Sequence, residues 1–344
     1  EKALVLADHA SFKDRQISAR DDGRHIGMGI SSYVEDTGLG PYEGTTVRVQ
    51  PNGKVLVRSG SASQGQGHHT FIAQIVADTL EVGMEDIVFE SGDTGKFPHG
   101  VGTIGSRIAV NVGPSAYEAA NAVKDKAIKL ASETLEAAEQ DLELSSGKVQ
   151  VKGVEDLSVS LGDLARTLSP KAGGKVPSGF VPSLEATSYT GSNGSPFASG
   201  TNVAEVEVDI LTGNVKLINY SVAHDCGTII NPKIVDGQII GGVVHGIGNA
   251  LFERMIYSEG GQPLTNTYAD YLLPLATEMP NIEIVHEESA SALNVLGIKG
   301  AGEGGTIPAT AAVVAAVENA LEEFNVEIDY YPINPQHLTE LIDG

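Results

Sequence analysis

The sequence predicts an α+β fold built from two pseudo-related lobes. Residues 45–59 alternate between apolar and polar side chains around Asn52-Gly53, a pair that is typical of a β-hairpin turn. Residues 202–222 alternate in the same way on both sides of a Thr-Gly-Asn turn. Because strands and helices do not alternate as regular βαβ units along the chain, an α+β fold is favoured over a doubly wound sheet.

A helical run follows each hairpin, so the chain contains two hairpin-plus-helix modules. Residue patterns at helical spacing predict helices at residues 70–80, 114–140, 237–253 and 308–324, with Pro114 expected in the first turn of the second. The stretch from Ser169 to Gly200 is rich in Gly, Ser and Pro and predicts a connection between lobes. The predicted lobes are residues 1–185 and residues 186–344.

Composition limits the classes of function. Of the 344 residues, 41% are hydrophobic, so a sizeable core can form. The formal net charge of −23 repels nucleic acid and anionic membrane, which excludes both as expected partners. The charge itself is consistent with simple solubility or with a host that tolerates acidic surfaces, and it identifies no substrate.

Cys226 is the only cysteine, so no internal disulfide can form, which fits a reducing compartment such as the cytoplasm. No apolar run approaches the roughly 18 residues that span a bilayer. The first residues, EKALVLADHASFKDR, are too charged for a signal peptide and lack an initiator Met. The sequence is therefore expected to be a fragment or one subunit of a larger assembly.

The first motif with chemical potential is SQGQGHHT at residues 63–70. Glycines on both sides of Gln66 allow the backbone to approach a bulky group, and the amide offers a donor and an acceptor. A helix is predicted directly afterwards, and its free N–H groups favour an anion. His68 and His69 are adjacent on this helix and point in different directions, so a metal site is not predicted.

The second motif is GTIGSR at residues 102–107, where small residues surround one hydroxyl and one Arg. This combination suits phosphate or pyrophosphate, and a turn capped by Ser106 is the competing interpretation. The third motif runs from Asp225 to Gly242 and continues as a helix with glycines at 241, 242, 246 and 248. Each glycine weakens a helix by about 1 kcal/mol relative to Ala, so another helix or a cofactor must lie close to that surface.

The fourth motif, GIKGAGEGGT at residues 297–306, places Glu303 among five glycines. One interpretation is a carboxylate that stabilises the start of the following helix. The other is a carboxylate presented on a rigid loop as a general base.

Together these segments and DYLLP at 270–274 resemble the large subunit of molybdenum hydroxylases, the family of xanthine dehydrogenase, aldehyde oxidoreductases, aerobic carbon monoxide dehydrogenase and N-heterocycle dehydrogenases. The resemblance extends from about Gly27 to the C-terminus. It implies a molybdopterin cofactor with molybdenum, in bacteria commonly the cytosine dinucleotide, bound between the loops of the lobes. It also implies that Glu303 is the catalytic base, and that no protein side chain ligates the metal.

The resemblance assigns further residues to the cofactor. Gln66 and Gln238 would hydrogen-bond the pterin side, Thr103 to Arg107 would hold pterin and phosphate, and Asp225 to Pro232 would reach the dinucleotide end. Ile108 and Ala109 stand where relatives often carry hydroxyl residues, so hydroxyl contacts are not expected there. The complete expected set is Gly65, Gln66, Gly67, His68, Thr70, Thr103, Ile104, Gly105, Ser106, Arg107, Asp225, Cys226, Asn231, Gln238, Lys299, Gly300 and Gly302.

The resemblance covers only the second half of such a subunit. The expected partners are the N-terminal half of the molybdenum subunit, an iron–sulfur subunit with [2Fe-2S] clusters and an FAD subunit. The expected reaction is oxidative hydroxylation of an electron-poor carbon in an N-heteroaromatic or aldehyde, and the sequence does not identify the substrate. The alternative is a catalytically inactive structural or assembly homologue, which would not need to retain Glu303, Gln66 or Gln238.

Overall fold

A computed structural model describes residues 1–169 and 175–344. In chain order the helices are α1 (Lys2–Leu6), α2 (His9–Asp21), α3 (His68–Leu80), α4 (Ile108–Leu135), α5 (Leu161–Thr167), α6 (Pro232–Leu251), α7 (Thr306–Ala320) and α8 (Pro335–Asp343). The strands are β1 (His25–Asp36), β2 (Glu43–Val49), β3 (Val55–Ser59), β4 (Ile87–Ser91), β5 (Leu142–Ser145), β6 (Lys148–Val151), β7 (Val154–Ser160), β8 (Leu184–Thr190), β9 (Phe197–Asp209), β10 (Asn214–Asp225) and β11 (Ile282–Glu287).

The described residues form two compact units, each assembled from separate parts of the chain. Unit 1 comprises Glu1–Asp36, Phe197–Ser289 and Ala301–Gly344. Unit 2 comprises Thr37–Pro196 and Ala290–Gly300. This grouping differs from the contiguous division at residues 185 and 186, because β1 pairs along its whole length with β9 and thereby joins the first residues to the second half of the chain.

Unit 1 is built on a four-stranded sheet in the order β1-β9-β10-β11, in which only the β10–β11 pair is parallel. Helix α7 packs on β1 and β9, and α6 packs on α7. The approach of α7 requires glycine in β1, because a Cβ at Gly27 or Gly29 would overlap the backbone of α7 at Ala316 or Ala312. The core lies between these elements and includes Val206, Val222, Ile239, Val243, Ala312 and Val313.

Unit 2 contains a second four-stranded sheet in the order β4-β3-β2-β8 and a small sheet in the order β5-β6-β7. Helix α4 packs on β2, β8 and α3. The buried surfaces of these elements are mainly small and branched apolar side chains, among them Val47, Val57, Ile72, Val76, Ala116 and Val123.

The α+β class is confirmed, and so are both predicted hairpins, which are β2–β3 in unit 2 and β9–β10 in unit 1. The prediction that Pro114 lies in a first turn is wrong, because α4 begins at Ile108 and Pro114 is inside the helix. The predicted connection at 169–200 contains β8, which pairs with β2, and its residues 170–174 lie outside the described residues. Over the described ranges, no helix is long and apolar enough to cross a membrane.

Candidate functional site

Three of the predicted glycine-rich loops meet within unit 2. A Cβ at Gly60 would overlap the carbonyl group of His99, so the 60–67 loop lies against the start of the 100–107 loop. The Thr103 hydroxyl donates to the Ala62 carbonyl oxygen over 2.6 Å, which adds a direct bond between these loops. A Cβ at Gly300 would overlap Ser106, so the 297–300 segment joins the same cluster. Close backbone approach therefore accounts for the glycines at 60 and 300.

Gln66 is half-buried at the tip of the first loop. Its Oε1 accepts from the Gln64 backbone N–H over 2.7 Å, and its Nε2 donates to Gln64 Oε1 over 3.3 Å. Gly65 and Gly67 have φ values of 120° and 72°, which only glycine adopts at low cost. Gly67 is also the N-cap of α3, and without a side chain it leaves the first N–H groups of that helix uncapped.

His68 is buried at the first position of α3. Its ring packs edge-on against the Phe71 ring, with 5.8 Å between the ring centroids. Its Nδ1 has no hydrogen-bond partner among the described residues. Burial, and secondarily the neighbouring His69, lower the pKa of His68 to about 4, so the ring is neutral at pH 7. A neutral imidazole nitrogen is an acceptor or a donor according to its tautomer.

The lowered pKa of His68 predicts a stability change in mild acid. Below the ordinary pKa of about 6.5 the unfolded chain binds a proton that the folded chain excludes, so stability falls from there down to about pH 4. Urea unfolding measures the free energy of unfolding at pH 7 and at about pH 5. The decrease between these two pH values should be smaller in His68→Leu than in the wild type, by on the order of 2 kcal/mol. His245→Leu, at an exposed histidine of α6, is the control and should follow the wild type, because His245 does not contribute to the pKa shift of His68. Equal pH dependence in all three proteins would contradict the buried neutral state.

Arg107 is buried and bonds entirely within unit 2. Its guanidinium pairs with the buried Glu43 carboxylate and donates to the carbonyl oxygens of Leu39, Pro41 and Gly102 at 2.6, 2.8 and 3.0 Å. The expected direct contact between Arg107 and a phosphate would require breaking these bonds. In this structure these bonds connect Arg107 to the 102–107 loop and to residues 39–43.

The other residues of this loop are more accessible. Ile104 is exposed, and Thr103, Gly105 and Ser106 are half-buried. Ser106 has a φ of 47°, and Gly105 has a φ of 55° with no room for a Cβ beside Leu39. A positive φ at two successive residues before α4 turns the backbone sharply into the helix.

In unit 1, the expected residues Asp225 and Asn231 of the third motif form hydrogen bonds that shape the entry to α6. Asp225 Oδ1 accepts from the Gly227 N–H over 2.8 Å, and the Ser289 hydroxyl donates to Asp225 Oδ2. Asn231 Oδ1 accepts from the Ile234 N–H over 3.1 Å and caps α6, which begins with Pro232. Cys226 is buried. The loop is therefore rigid where it enters α6.

Four of the five glycines of α6 divide into two pairs, and a Cβ at the fifth, Gly248, would overlap the Glu253 carboxylate. Gly242 and Gly246 face the start of α7, where an added Cβ would lie 2.9 Å from the Thr306 nitrogen or 2.5 Å from the Ala309 Cβ. The helix-packing interpretation therefore holds for these two. Gly237 and Gly241 have open space where a Cβ would be, and half-buried Gln238 lies beside them. This side of α6 remains accessible to a ligand.

Glu303 is exposed on the loop before α7. Its carbonyl oxygen accepts from the N–H groups of Thr306 and Ile307 at 3.0 and 3.2 Å, which closes a turn at the start of the helix. The N-cap position is Gly305, which has no side chain. Lys299 and Gly300 belong to unit 2, whereas Gly302 and Glu303 belong to unit 1, so the motif spans the point where the chain passes between units.

Sequence reasoning missed two buried polar pairs beside these loops. Glu43 lies in a strand whose sequence, EGTTVRV, carries no motif. Tyr33 hydrogen-bonds His224 over 2.8 Å, and both lie next to Gly304. For the Tyr33–His224 pair, the only signal in the sequence is that His224 directly precedes the Asp225 loop. Within the described parts of the chain, no group of three His, Cys, Asp or Glu side chains is arranged to hold a metal ion.

Comparisons with known proteins agree on the family. The molybdopterin cofactor-binding domain model matches residues 2–280. The nicotine 6-hydroxylase large subunit of Paenarthrobacter nicotinovorans is 38% identical over 98% of this chain and 43% of its own length. The carbon monoxide dehydrogenase large chain of Hydrogenophaga pseudoflava is 34% identical over 92% of this chain and 41% of its own length.

A crystal structure of quinoline 2-oxidoreductase from Pseudomonas putida 86 superposes with a TM-score of 0.89 at 38% identity, covering 99% of this chain and 44% of that one. The chain thus spans less than half the length of the relatives it matches. The matches confirm the resemblance to molybdenum hydroxylase large subunits, and the chain belongs to the molybdopterin cofactor-binding domain family.

Proposed function

We propose that this chain is the C-terminal, molybdopterin-binding part of a molybdenum hydroxylase large subunit, and that the assembled enzyme hydroxylates an electron-poor carbon. The overall change is R–H + H₂O → R–OH + 2 e⁻ + 2 H⁺, with water as the oxygen source. The observation that carries the proposal is an exposed glutamate, Glu303, on a tight glycine-rich turn of a chain from a molybdopterin-binding family.

The residues present fit a polar, anionic cofactor such as molybdopterin cytosine dinucleotide. In unit 2, α3 begins at Gly67 without a side-chain cap, and its N–H groups suit a phosphate. The adjoining Gln66 amide hydrogen-bonds Gln64 in its own loop and can exchange those bonds for ligand atoms. In unit 1, Gln238 lies beside two glycines with open space above them.

The bound cofactor would supply the redox-active molybdenum centre that takes up the two electrons. The part of the protein is to bind, orient and move protons. Glu303 accepts a proton at its carboxylate from the oxygen nucleophile, which is the role of a general base. The Glu303–Thr306 turn fixes the backbone from which this side chain projects. The amides of Gln66 and Gln238 would orient the cofactor without taking part in proton transfer.

An N-heteroaromatic compound is the substrate class that the comparisons favour. The relatives named for nicotine 6-hydroxylation and for quinoline 2-oxidation are both 38% identical to this chain, whereas the carbon monoxide dehydrogenase large chain of Hydrogenophaga pseudoflava is 34% identical. Such rings have electron-poor carbons beside nitrogen, as the proposed attack requires. Aldehydes form the second class within the same proposal.

We propose that further protein parts complete the enzyme. The chain covers 43% of the nicotine 6-hydroxylase large subunit, so the proposal includes the N-terminal half of the molybdenum subunit. One cysteine cannot supply the four thiolates of a [2Fe-2S] cluster, so electron transfer calls for an iron–sulfur subunit, and an FAD subunit is proposed beyond it. A cytoplasmic location would keep Cys226 reduced.

The test of cofactor binding is the molybdenum content of glutamine variants. Gln66→Ala and Gln238→Ala are each expected to lower the molybdenum bound per assembled enzyme, because a buried polar atom of the cofactor loses its partner at a cost of about 1–3 kcal/mol. Turnover per bound molybdenum should change much less. The measurement is metal analysis alongside steady-state turnover of the purified complex.

Matched controls lie in the same regions of the chain. Gln140→Ala removes an exposed amide from unit 2 that does not contact Gln66, and Gln336→Ala removes an exposed one from α8 of unit 1. Both should retain the wild-type metal content. Full metal content with lost turnover in Gln66→Ala and Gln238→Ala would contradict the assignment of these residues to cofactor binding. A wild-type complex without molybdenum would favour the inactive scaffold.

A further inference from the structure

We propose that a buried pair, Tyr33 and His224, positions the turn that carries Glu303. The inference rests on the proposed function only for its effect on turnover, since the contact itself is a property of unit 1. Tyr33 lies on β1 and His224 on β10, and β9 runs between these strands in the sheet. Neither residue belongs to a motif that the sequence analysis assigned to the cofactor.

The contact is made at Gly304, the residue after Glu303. A Cβ at Gly304 would overlap the Tyr33 hydroxyl and lie 2.8 Å from His224 Cε1. Gly304 is not among the glycines with positive φ, so backbone conformation does not require glycine there. Steric contact with the Tyr33–His224 pair therefore explains the glycine and shows how closely the turn rests on these rings.

The pair is rigid. The Tyr33 hydroxyl and His224 Nδ1 are 2.8 Å apart, the two ring planes differ by 13°, and both side chains are buried. Burial, with a smaller contribution from Glu35, raises the pKa of Tyr33, so the phenol keeps its proton at any physiological pH. A buried, hydrogen-bonded pair in a packed sheet offers the turn a fixed surface.

The next residue of the turn is held from the same sheet. Asn202 of β9 is completely buried, and its Nδ2 donates to the Gly305 carbonyl oxygen over 3.4 Å and to the Tyr220 hydroxyl over 2.8 Å. Two consecutive residues after Glu303 thus rest on polar groups from neighbouring strands. Fixing these two residues fixes the direction in which the Glu303 side chain leaves the loop.

The consequence is a positioning role. Neither Tyr33 nor His224 is needed to accept the proton, but a shift of the turn moves the carboxylate away from the reacting oxygen. A displacement of about 1 Å can cost on the order of 10²-fold in rate. Because substrate binding does not depend on the back of this turn, the loss should fall on kcat and leave KM nearly unchanged.

The experiment is a suppression test with three variants. Gly304→Ala forces a methyl group into the Tyr33 hydroxyl and should displace the turn. Tyr33→Phe removes the oxygen that the methyl group meets first. In Gly304→Ala/Tyr33→Phe the methyl group has more room. The kcat of the double variant should therefore be at least about threefold higher than that of Gly304→Ala, since residues in direct contact couple in this way. Gly304→Ala/Tyr117→Phe, which changes a half-buried tyrosine of α4 in unit 2, is the matched control and should restore nothing.

Two readouts separate the positioning role from general stability and from the proposed function. The first is hydrogen exchange of the Thr306 and Ile307 amides, which donate to the Glu303 carbonyl oxygen and report on the turn without any cofactor. Exchange should be at least about tenfold faster in Gly304→Ala and slower again in the double variant. The second is kcat and KM per bound molybdenum in the assembled enzyme, where kcat should follow the same order with KM within about twofold.

The result that would overturn the proposal is a double variant no better than Gly304→Ala in amide exchange, or a rescue that Tyr117→Phe provides equally. If Gly304→Ala fails to fold, Tyr33→Phe alone decides: loss of one hydroxyl should accelerate exchange at Thr306 and Ile307, and unchanged exchange would refute the contact. If the wild-type complex has no molybdenum-dependent turnover, the proposed function fails, while the exchange measurements still decide this inference.

Discussion

Glu303→Gln is expected to lower turnover per molybdenum by about 10²–10⁴-fold, the usual contribution of a general base. The substitution keeps the size of the side chain and its hydrogen-bonding shape but removes its ability to take a proton. Because Glu303 is exposed on its loop, the change should leave folding and metal content intact. The measurement is steady-state turnover of the assembled enzyme, normalised to bound molybdenum.

The matched control is Glu259→Gln, which changes another exposed glutamate that also precedes glycines, at 260 and 261. That variant should retain wild-type turnover. Turnover of Glu303→Gln above about a tenth of the wild-type value would remove Glu303 from the role of base, given the range expected of general-base catalysis. The inactive scaffold would then become the better explanation of the chain.

Local structure was predictable because short-range patterns encode it. The Asn52-Gly53 turn and the alternation on both sides of it predicted β2 and β3, and the same argument predicted β9 and β10. The start of α4 was missed because proline favours a first turn, whereas here the packing of α4 on β2 and β8 holds a helix that continues through Pro114. Tertiary packing outweighed a local preference.

The composition of the two units could not be predicted in the same way. Strand β1 pairs with β9, from His25 opposite Val208 to Asp36 opposite Phe197, across most of the first half of the chain. No local pattern identifies such a partner. Local patterns therefore predict a contiguous division into lobes. The units of the structure are discontinuous because distant segments such as β1 and β9 pair with each other.

The candidate site shows the same difference between local and distant signals. Glycines around Gln66 and Glu303 mark these residues in the sequence itself. The Tyr33–His224 bond joins residues 191 positions apart, and the Arg107–Glu43 pair joins residues 64 apart. The loop alone predicts a phosphate contact for Arg107, because no local pattern identifies Glu43 as its buried partner.

Arg107→Met is expected to lower the free energy of unfolding by about 3–5 kcal/mol. Both side chains of the Arg107–Glu43 pair are completely buried, so removal of the guanidinium leaves a buried carboxylate without its counter-ion. Glu43 Oε2 already lacks a hydrogen-bond partner among the described residues, which leaves only the Val101 N–H, at 3.1 Å from Oε1, to stabilise the carboxylate. The measurement is urea denaturation of the variant and the wild type at pH 7.

The control is the exposed pair of Arg166 and Asp163, where Arg166→Met should cost about 1 kcal/mol or less, since water screens such pairs. A second variant distinguishes lost pairing from lost packing. Arg107→Met/Glu43→Gln removes both charges and should be more stable than Arg107→Met, because no uncompensated charge remains buried. Equal losses for Arg107→Met and Arg166→Met would show that the buried pair does not hold the 102–107 loop. The Thr103 bond and the Gly300 contact would then be the better candidates for holding the loop, and a contact between Arg107 and a phosphate would cost less.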